Sequence, residues 1–286
     1  MRPVLPSIRR WLTPRRRDVA VEAFGDRGWT RAETGGESDR RELVLTTFNI
    51  WNDAHFADER HHAISEVVVR HEPDIMVFQE VTPRAHDILL SHPWVRRHCL
   101  CAAVTGGGAG DYGMLLLSRV PLRGVTYIQL SSRMLRGFLC ADVVAAGVPT
   151  TVCSVHLDSG KASAGLRARQ LRDVFDALGT VDDAVVLGDF NMRDAENARI
   201  TAPFTDVWPL LRPDEPGYTE DTSVNLMRLD STNKDRHVRF DRVLVKGSAW
   251  RPTAIDLLGT QPIAQSHPRI FPSDHFGLLC RLVSDG

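Results

Sequence analysis

Ala184-Val185-Val186-Leu187-Gly188-Asp189-Phe190-Asn191 is an apolar run that stops abruptly on an acid and an amide. It is too short for a helix and carries β-branched residues on both alternating faces, which is the pattern of a strand buried on both sides. The same reading holds for residues 43–50, 75–78, 114–117 and 150–155. Helical patterns lie between them. Ile64, Val67 and Val68 share one helical face, as do Leu171, Val174, Phe175 and Leu178. Residues 238–245 read as a further strand in which Phe240 and Leu244 face away from Asp241 and Val243. Strands mixed with helices in this way predict one large α/β unit rather than two domains. The glycine-rich Gly106-Gly107-Gly108-Ala109-Gly110 is followed by no Lys-Ser or Lys-Thr and by a strand pattern, so it is a hairpin connection rather than a phosphate loop.

The 286 residues are 43% hydrophobic and 25% charged, which excludes disorder over most of the chain. No run approaches the roughly 18 apolar residues that cross a bilayer. Thirty-five basic residues face 36 acidic ones, a net charge of −1, so any polyanion is bound by local patches and not by bulk attraction. Cys99, Cys101, Cys140, Cys153 and Cys280 are odd in number and lack a C-x-x-C pair, which speaks against structural zinc and for a reduced, intracellular setting. The first seventeen residues hold six arginines and no acid, without the apolar core of a secretory signal. Residues 24–42 are polar and glycine-rich and read as a linker. The expected division is a basic N-terminal extension and linker, 1–41, followed by a catalytic domain, 42–286.

Polar residues collect where the apolar runs stop. Asn49, Gln79-Glu80, His156 and Gly188-Asp189-Phe190-Asn191 each end a strand, and Phe271-Pro272-Ser273-Asp274-His275 adds an acid and a histidine near the C-terminus. Strand ends on one rim of a sheet are where α/β folds build sites. Glu80 with Asn49 offers hard oxygen ligands suited to Mg²⁺ or Mn²⁺. Asp189 and Asn191, two apart on a turn, can activate and position a water, and two histidines can meet the charge that develops on phosphorus. That combination points to metal-assisted phosphodiester hydrolysis. No serine or cysteine sits in a triad-like context, so a covalent intermediate is not expected.

Thr47-Phe48-Asn49, Gln79-Glu80, Ser154-Val155-His156, Gly188-Asp189-Phe190-Asn191 and Ser273-Asp274-His275, in this order, resemble the endonuclease/exonuclease/phosphatase superfamily. His156-Leu157-Asp158-Ser159, Asp206-Val207-Trp208, Asp256-Leu257-Leu258-Gly259 and the run from Phe271 to Cys280 look like the tyrosyl-DNA phosphodiesterase type 2 branch of it. The resemblance implies a four-layer α/β sandwich with two central mixed β-sheets flanked by helices. It implies a monomeric Mg²⁺-dependent hydrolase, Mn²⁺ being an alternative, which cleaves 5′-phosphotyrosyl bonds between protein and DNA. Its partner is a nucleic acid with a 5′-linked protein or peptide, and no membrane is involved. By the resemblance, Glu80 is the metal ligand, with Asn49 beside it and Asp274 as an outer contact or orienter. Asp189 activates the water and Asn191 orients it. His156 and His275 contact the phosphate, Asp241 holds His275, and Ser159 and Arg193 meet the substrate.

The chain departs from that pattern in places. Asp158 and Phe276 are mild replacements for Glu and Trp. Glu220 stands where the family has an aromatic that packs the DNA end, and an acid there is expected to repel the backbone. Residues 225–239, matching the part that grips single-stranded DNA, are polar and poorly aligned. A general nuclease, or a phospholipase- or sphingomyelinase-like enzyme, is the alternative within the superfamily. A scaffold that has lost catalysis is the alternative outside it, and the intact Asn49, Glu80, His156, Asp189, Asn191 and His275 argue against that.

Overall fold

In the computed structural model, which describes residues 15–106 and 110–284, each apolar run becomes a strand. The strands are β1 (Arg15–Asp18), β2 (Glu22–Gly25), β3 (Gly28–Arg31), β4 (Glu42–Asn49), β5 (Ile75–Val81), β6 (Leu100–Val104), β7 (Gly113–Ser118), β8 (Gly124–Gln129) and β9 (Gly137–Ala145). They continue as β10 (Val148–His156), β11 (Asp183–Asp189), β12 (Thr205–Asp206), β13 (Glu220–Asp221), β14 (His237–Val238), β15 (Asp241–Lys246), β16 (Arg251–Leu258) and β17 (Gly277–Val283). The helices are α1 (Ala57–Val69), α2 (Pro83–Ser91), α3 (Pro93–His98), α4 (Ala164–Ala177), α5 (Val207–Leu211) and α6 (Leu226–Thr232).

Two large mixed sheets result. One runs β1-β8-β9-β10-β11-β15-β12 and the other β16-β17-β4-β5-β7-β6-β2-β3. Each holds one parallel pair, β10/β11 and β4/β5. The pleat sends alternate side chains to opposite faces. Leu43, Leu45, Ile75 and Val77 meet Leu139, Val152, Val185 and Leu187 of the facing sheet in the central core. Their neighbours Val44, Phe48, Met76 and Phe78 pack outward under Ile64, Val68 and Leu89 of the helices. On the far side, Cys153, Val155 and Val186 pack under Leu171 and Val174 of α4. The layers are therefore helix, sheet, sheet, helix, as the resemblance implies.

A buried polar contact interrupts the apolar interface between the sheets. The Gln79 amide on β5 donates to Thr47 Oγ1 on β4 and, across the gap, to Ser154 Oγ on β10, both at 3.1 Å, with all three side chains fully buried.

Three expectations change. The segment before residue 42 is not a linker throughout: β1 pairs with β8, and the β2–β3 hairpin extends the other sheet through β6. The physical reason is that an edge hairpin needs little apolar surface of its own: Val21 packs into the central core and Trp29 against the outer one. The first fourteen residues of the basic extension lie outside the described residues. The predicted strand at 238–245 is broken at Arg239 and Phe240, so that β14 pairs with β13 while β15 pairs with β11. Finally, the antiparallel register sets Cys140 opposite Cys153, and the two are joined by a disulfide, leaving Cys99, Cys101 and Cys280 free and buried. Gly106 and Gly110 flank the turn of the β6–β7 hairpin, whose residues 107–109 lie outside the described ones. No described helix is long and apolar enough to cross a membrane.

His61 on α1 is buried, and burial with the adjacent Arg60 charge pushes its imidazole down to about 4. The unfolded chain takes up a proton near the ordinary value while the folded chain does not, so stability falls as pH drops from about 6.5 toward 4. Urea melts at pH 7.5 and 5.0 are expected to differ by about 2 kcal/mol through this group, and His61→Phe should remove that share of the slope. An identical slope in the variant would assign the acid sensitivity elsewhere.

Candidate active site

The two parallel pairs aim their ends at each other. Register puts Asn49 beside Gln79 on one sheet and His156 beside Asp189 on the other, with Asp241 across from Asp189 on β15. Two backbone features sharpen the aim. The β5–β7 register shifts between Gln79 and Val81, and Glu80 in that bulge has φ 61°. A left-handed glutamate costs about 1 kcal/mol, and the bulge turns its carboxylate out of the sheet into the cleft. Gly188 has φ 143°, and a Cβ there would lie 2.1 Å from the Val155 carbonyl oxygen, so only glycine lets β11 approach β10 at this point.

Asp189 is almost fully buried and held by three donors. Its Oδ1 accepts from the Asn191 backbone N–H at 2.8 Å, and its Oδ2 accepts from Asn191 Nδ2 at 2.9 Å and Asn49 Nδ2 at 3.1 Å. Asn191 reaches this position in the left-handed region, at φ 51°, which asparagine tolerates. Burial opposes ionisation, but the His156 N–H directed at it and the charges of His275 and Arg136 hold the carboxyl well below the usual carboxylate range. With Asn49 Oδ1 accepting from the Trp51 N–H at 3.0 Å, the Asn49 amide is oriented from both ends.

The His156 tautomer is set from behind. Arg136 Nη1 lies 2.7 Å from Nδ1, and a guanidinium can only donate, so Nδ1 accepts and Nε2 carries the proton. Nε2 points at Asp189 Oδ2, 3.4 Å away, and Glu80 Oε1, 3.8 Å away, without a closer partner. Burial and the Arg136 charge move the imidazole below its ordinary value, so it is a neutral donor directed at Asp189 and Glu80. The loop carrying Arg136 is fixed by the buried Asp158, which accepts from Ser132 Oγ, the Arg133 N–H and Gln170 Nε2.

His275 is the opposite case. Its Nδ1 is 2.7 Å from Asp241 Oδ2, and although burial disfavours the cation, the carboxylates of Asp241, Asp274 and Asp189 move it well above the ordinary value. Asp241 is in turn fixed through its backbone N–H, which donates to Thr219 Oγ1 at 3.1 Å. Asp189, Asp241 and His275 have ligand atoms within 4.8 Å of one another, but the direct His275–Asp241 bond makes this a proton-holding unit first.

The oxygen donors suited to a hard cation lie beside it. Glu80 Oε2 accepts from the Asn52 N–H at 3.1 Å, and Asp274 Oδ2 sits 3.1 Å from Arg228 Nη1. Burial raises the Asp274 pKa, and the Glu80 and Glu220 charges add to it. Carboxylates that destabilise each other's charge, with no thiol among them, fit a divalent cation.

Arg60 fastens this side of the cleft. Fully buried, it donates to the carbonyls of His55 (Nε, 2.8 Å), Ile50 and Pro272 (Nη1, 3.0 and 3.3 Å), and Trp51 and Asp53 (Nη2, 3.1 and 2.7 Å). All five of its donors are used. Burial pulls the guanidinium down to about 10, so it remains charged at neutral pH. It thus ties the loop after β4, whose Asn52 holds Glu80, to the loop that carries Asp274.

Asn49, Glu80, Asp189, Asn191, Asp274 and His275 line one cleft of ≈ 410 Å³, as do Ser159 and Arg193, whereas Asp241, His156 and Arg60 do not. Ser159 Oγ lies 3.4 Å from Met134 Sδ, and the Arg193 guanidinium lies over the Phe240 ring, 5.5 Å from its centroid. Sequence reading missed Arg136, Arg228 and Arg236, which also line the cleft. Their only signal was arginine next to a strand or in the polar 225–239 stretch, which solvated arginines share. The expectation for Glu220 is corrected: it is fully buried and bound by Arg228 Nε at 2.5 Å and Arg236 Nε at 3.1 Å. Its charge is neutralised beneath the cleft wall and cannot repel a nucleic-acid backbone.

Comparison with known proteins agrees with this architecture. The family model described as the endonuclease/exonuclease/phosphatase family matches residues 46–275. Tyrosyl-DNA phosphodiesterase 2 of Homo sapiens is 31% identical over 283 residues, covering 93% of this chain and 75% of that protein. The Xenopus laevis protein of the same name is 32% identical over 261 residues, covering 85% and 67%. Among solved structures, Danio rerio TDP2 complexed with single strand DNA product superposes with a TM-score of 0.75 at 24% identity, over 86% of this chain and 100% of that one. The human Nocturnin catalytic domain follows with a TM-score of 0.66 at 18% identity, over 86% and 95%. The chain belongs to the endonuclease/exonuclease/phosphatase family and, within it, to the tyrosyl-DNA phosphodiesterase 2 group.

Proposed function

We propose that the chain is a metal-dependent phosphodiesterase that hydrolyses 5′-phosphotyrosyl bonds joining protein to DNA, a repair activity of the kind named in its relatives. The observation that carries the reading is the meeting of a firmly held carboxylate, Asp189, and a neutral donor, His156, at parallel strand ends facing Glu80. Glu80, with Asp274 and Asn49, would hold the cation, for which we propose Mg²⁺ and, on the same oxygen donors, Mn²⁺. Bound there, it supplies Lewis-acid charge to the phosphoryl and leaving oxygens.

The remaining work falls to the chain itself. Asn49, Asn191 Nδ2 and His156 crowd Asp189 Oδ2, whereas Oδ1 accepts only the Asn191 backbone N–H, so its remaining lone pair aligns a water for in-line attack. His156 Nε2–H and the protonated His275 donate to non-bridging oxygens, where charge grows in the transition state. The water oxygen bonds to phosphorus as its proton passes to Asp189, and the P–O bond to tyrosine breaks, leaving a 5′-phosphate and a tyrosinate that takes up that proton. Tyrosine, with a phenol pKa of about 10, leaves with little acid assistance. Asn191 orients the water, Asp241 keeps His275 charged, and Ser159 and Arg193 meet the substrate at the cleft mouth. We further propose that residues 42–286 carry the catalytic centre, that the enzyme acts as a monomer, and that it works inside the cell on nucleic acid with a 5′-linked protein or peptide.

Release of tyrosine from a 5′-phosphotyrosyl oligonucleotide in Mg²⁺, abolished by EDTA, is the expected result. An abasic duplex, a 5′-hydroxyl duplex and a phospholipid analogue run beside it, and cleavage of one of those instead would reject the phosphotyrosyl reading. Glu80→Gln should raise the half-saturating Mg²⁺ concentration by about 100-fold, since a ligand matters at least as much as the 10–100-fold typical of its supporting partners. An unchanged Mg²⁺ titration would remove Glu80 from the metal site.

A further inference from the structure

Glu220, Arg228 and Arg236 come from three separate pieces of chain. Glu220 opens β13, Arg228 lies on α6 and Arg236 directly precedes β14. The β13–β14 pairing and Asn225 bring them together. Register sets Glu220 opposite Val238, Thr222 Oγ1 accepts from the Arg236 N–H at 2.9 Å, and Asn225 ties the start of α6 to the Ser273 carbonyl at 2.8 Å. Both arginines set Nε against the one buried carboxylate, and both line the cleft.

Two guanidiniums meet two carboxylates in the wall of the cleft, Glu220 and Asp274, so what the cluster offers a ligand is unpaired donors rather than net charge. Arg228 spends one terminal nitrogen on Asp274, but the terminal nitrogens of Arg236 find no acceptor among the described residues. A purely structural ion pair would need one arginine, and apolar packing would serve as well. A carboxylate that braces a second, half-exposed arginine instead presents a planar fork to whatever occupies the cleft. Next to it, the Tyr218 and His237 rings, 5.6 Å apart, offer a surface on which bases stack. Arginine beside aromatic rings fits a nucleic-acid strand better than an acidic peptide.

We propose that Arg228 and Arg236, braced by Glu220, form a second anion subsite for the internucleotide phosphate adjacent to the scissile one. The subsite rests on the phosphodiesterase reading of the neighbouring groups, and it replaces an apolar contact to the strand end with an ionic one.

The test is binding, so it does not depend on cleavage. Two single-stranded 5′-phosphorylated oligonucleotides differ only at the first internucleotide linkage, phosphodiester in one and uncharged methylphosphonate in the other. By fluorescence anisotropy in Mg²⁺ the unaltered protein should bind the charged probe about tenfold tighter, as expected for one phosphate contact. Arg236→Gln, at a partly exposed position that folding tolerates, should reduce this preference to about one and lower the salt slope by about one. Glu220→Gln should reduce the preference to about threefold, because the fork loses its brace. Equal binding of the two probes by the unaltered protein, or a preference that survives Arg236→Gln, overturns the subsite. Displacement by a glutamate-rich peptide with no methylphosphonate effect also overturns it and assigns the pair to the protein side of the substrate. A lost preference with intact phosphotyrosyl cleavage defeats the subsite alone, whereas no cleavage with an intact preference defeats the phosphotyrosyl reading.

Discussion

Asp189→Asn is expected to lower kcat on a 5′-phosphotyrosyl oligonucleotide by about 10³–10⁴-fold, the range spanned by losing a positioned base and its electrostatic partner. The amide cannot reproduce the carboxylate. If its oxygen keeps the Asn49 and Asn191 side chains on the Oδ2 side, its NH₂ is forced against the Asn191 backbone N–H on the other. Reversing the amide moves the same donor–donor clash to Asn49 and Asn191 Nδ2. In either orientation the water loses its negative partner, and His156 Nε2 loses the charge 3.4 Å away. The fold should persist, because both strands stay paired along their length. Rate and thermal melt are measured on the same preparation. A rate within tenfold of the unaltered enzyme would take Asp189 out of the mechanism, and a melt lowered by more than about 10 °C would make the rate loss uninterpretable as chemistry.

Arg60→Met is the corresponding prediction for stability, a loss of about 3–5 kcal/mol. Methionine fills much of the space but donates nothing, and five carbonyls that Arg60 satisfied lose their partner at once. Each stranded buried acceptor costs about 1–3 kcal/mol, offset where the loop opens to water. That opening carries a second consequence. Trp51 and Asn52 ride on the loop, and Asn52 holds Glu80, so the apparent Mg²⁺ affinity should weaken along with the melt. Arg60→Lys should fall between, since an ammonium has three donors for five acceptors. A melting temperature within 2 °C in Arg60→Met would sink the assignment.

The strands were legible because burial on both faces leaves continuous apolar runs, and Leu43 to Phe48 alternate between two cores as that pattern requires. The rim residues were legible for a related reason, since a polar side chain that ends such a run has one place to go. What sequence could not supply was partners. Nothing local says that Arg136 backs His156, or that Glu220 faces two arginines instead of solvent, because both contacts join distant pieces of chain. The β2–β3 hairpin was hidden by composition: an edge hairpin is half polar, and half polar also describes a linker. Cys140 and Cys153 were unreadable as a pair until the strand register set them opposite each other.

The Gln79 amide, spanning from Thr47 to Ser154, joins surfaces that are largely apolar. Apolar faces resist separation but hardly resist sliding, because the attraction between them has no direction. A hydrogen bond does have one, and this one lies one residue from Glu80 and two from His156. It acts as a dowel that fixes where one half of the reaction centre stands relative to the other. Turnover in this enzyme is therefore a finer gauge of alignment than melting is: a core that still holds firmly but has slipped by a fraction of an ångström will show it first as lost rate.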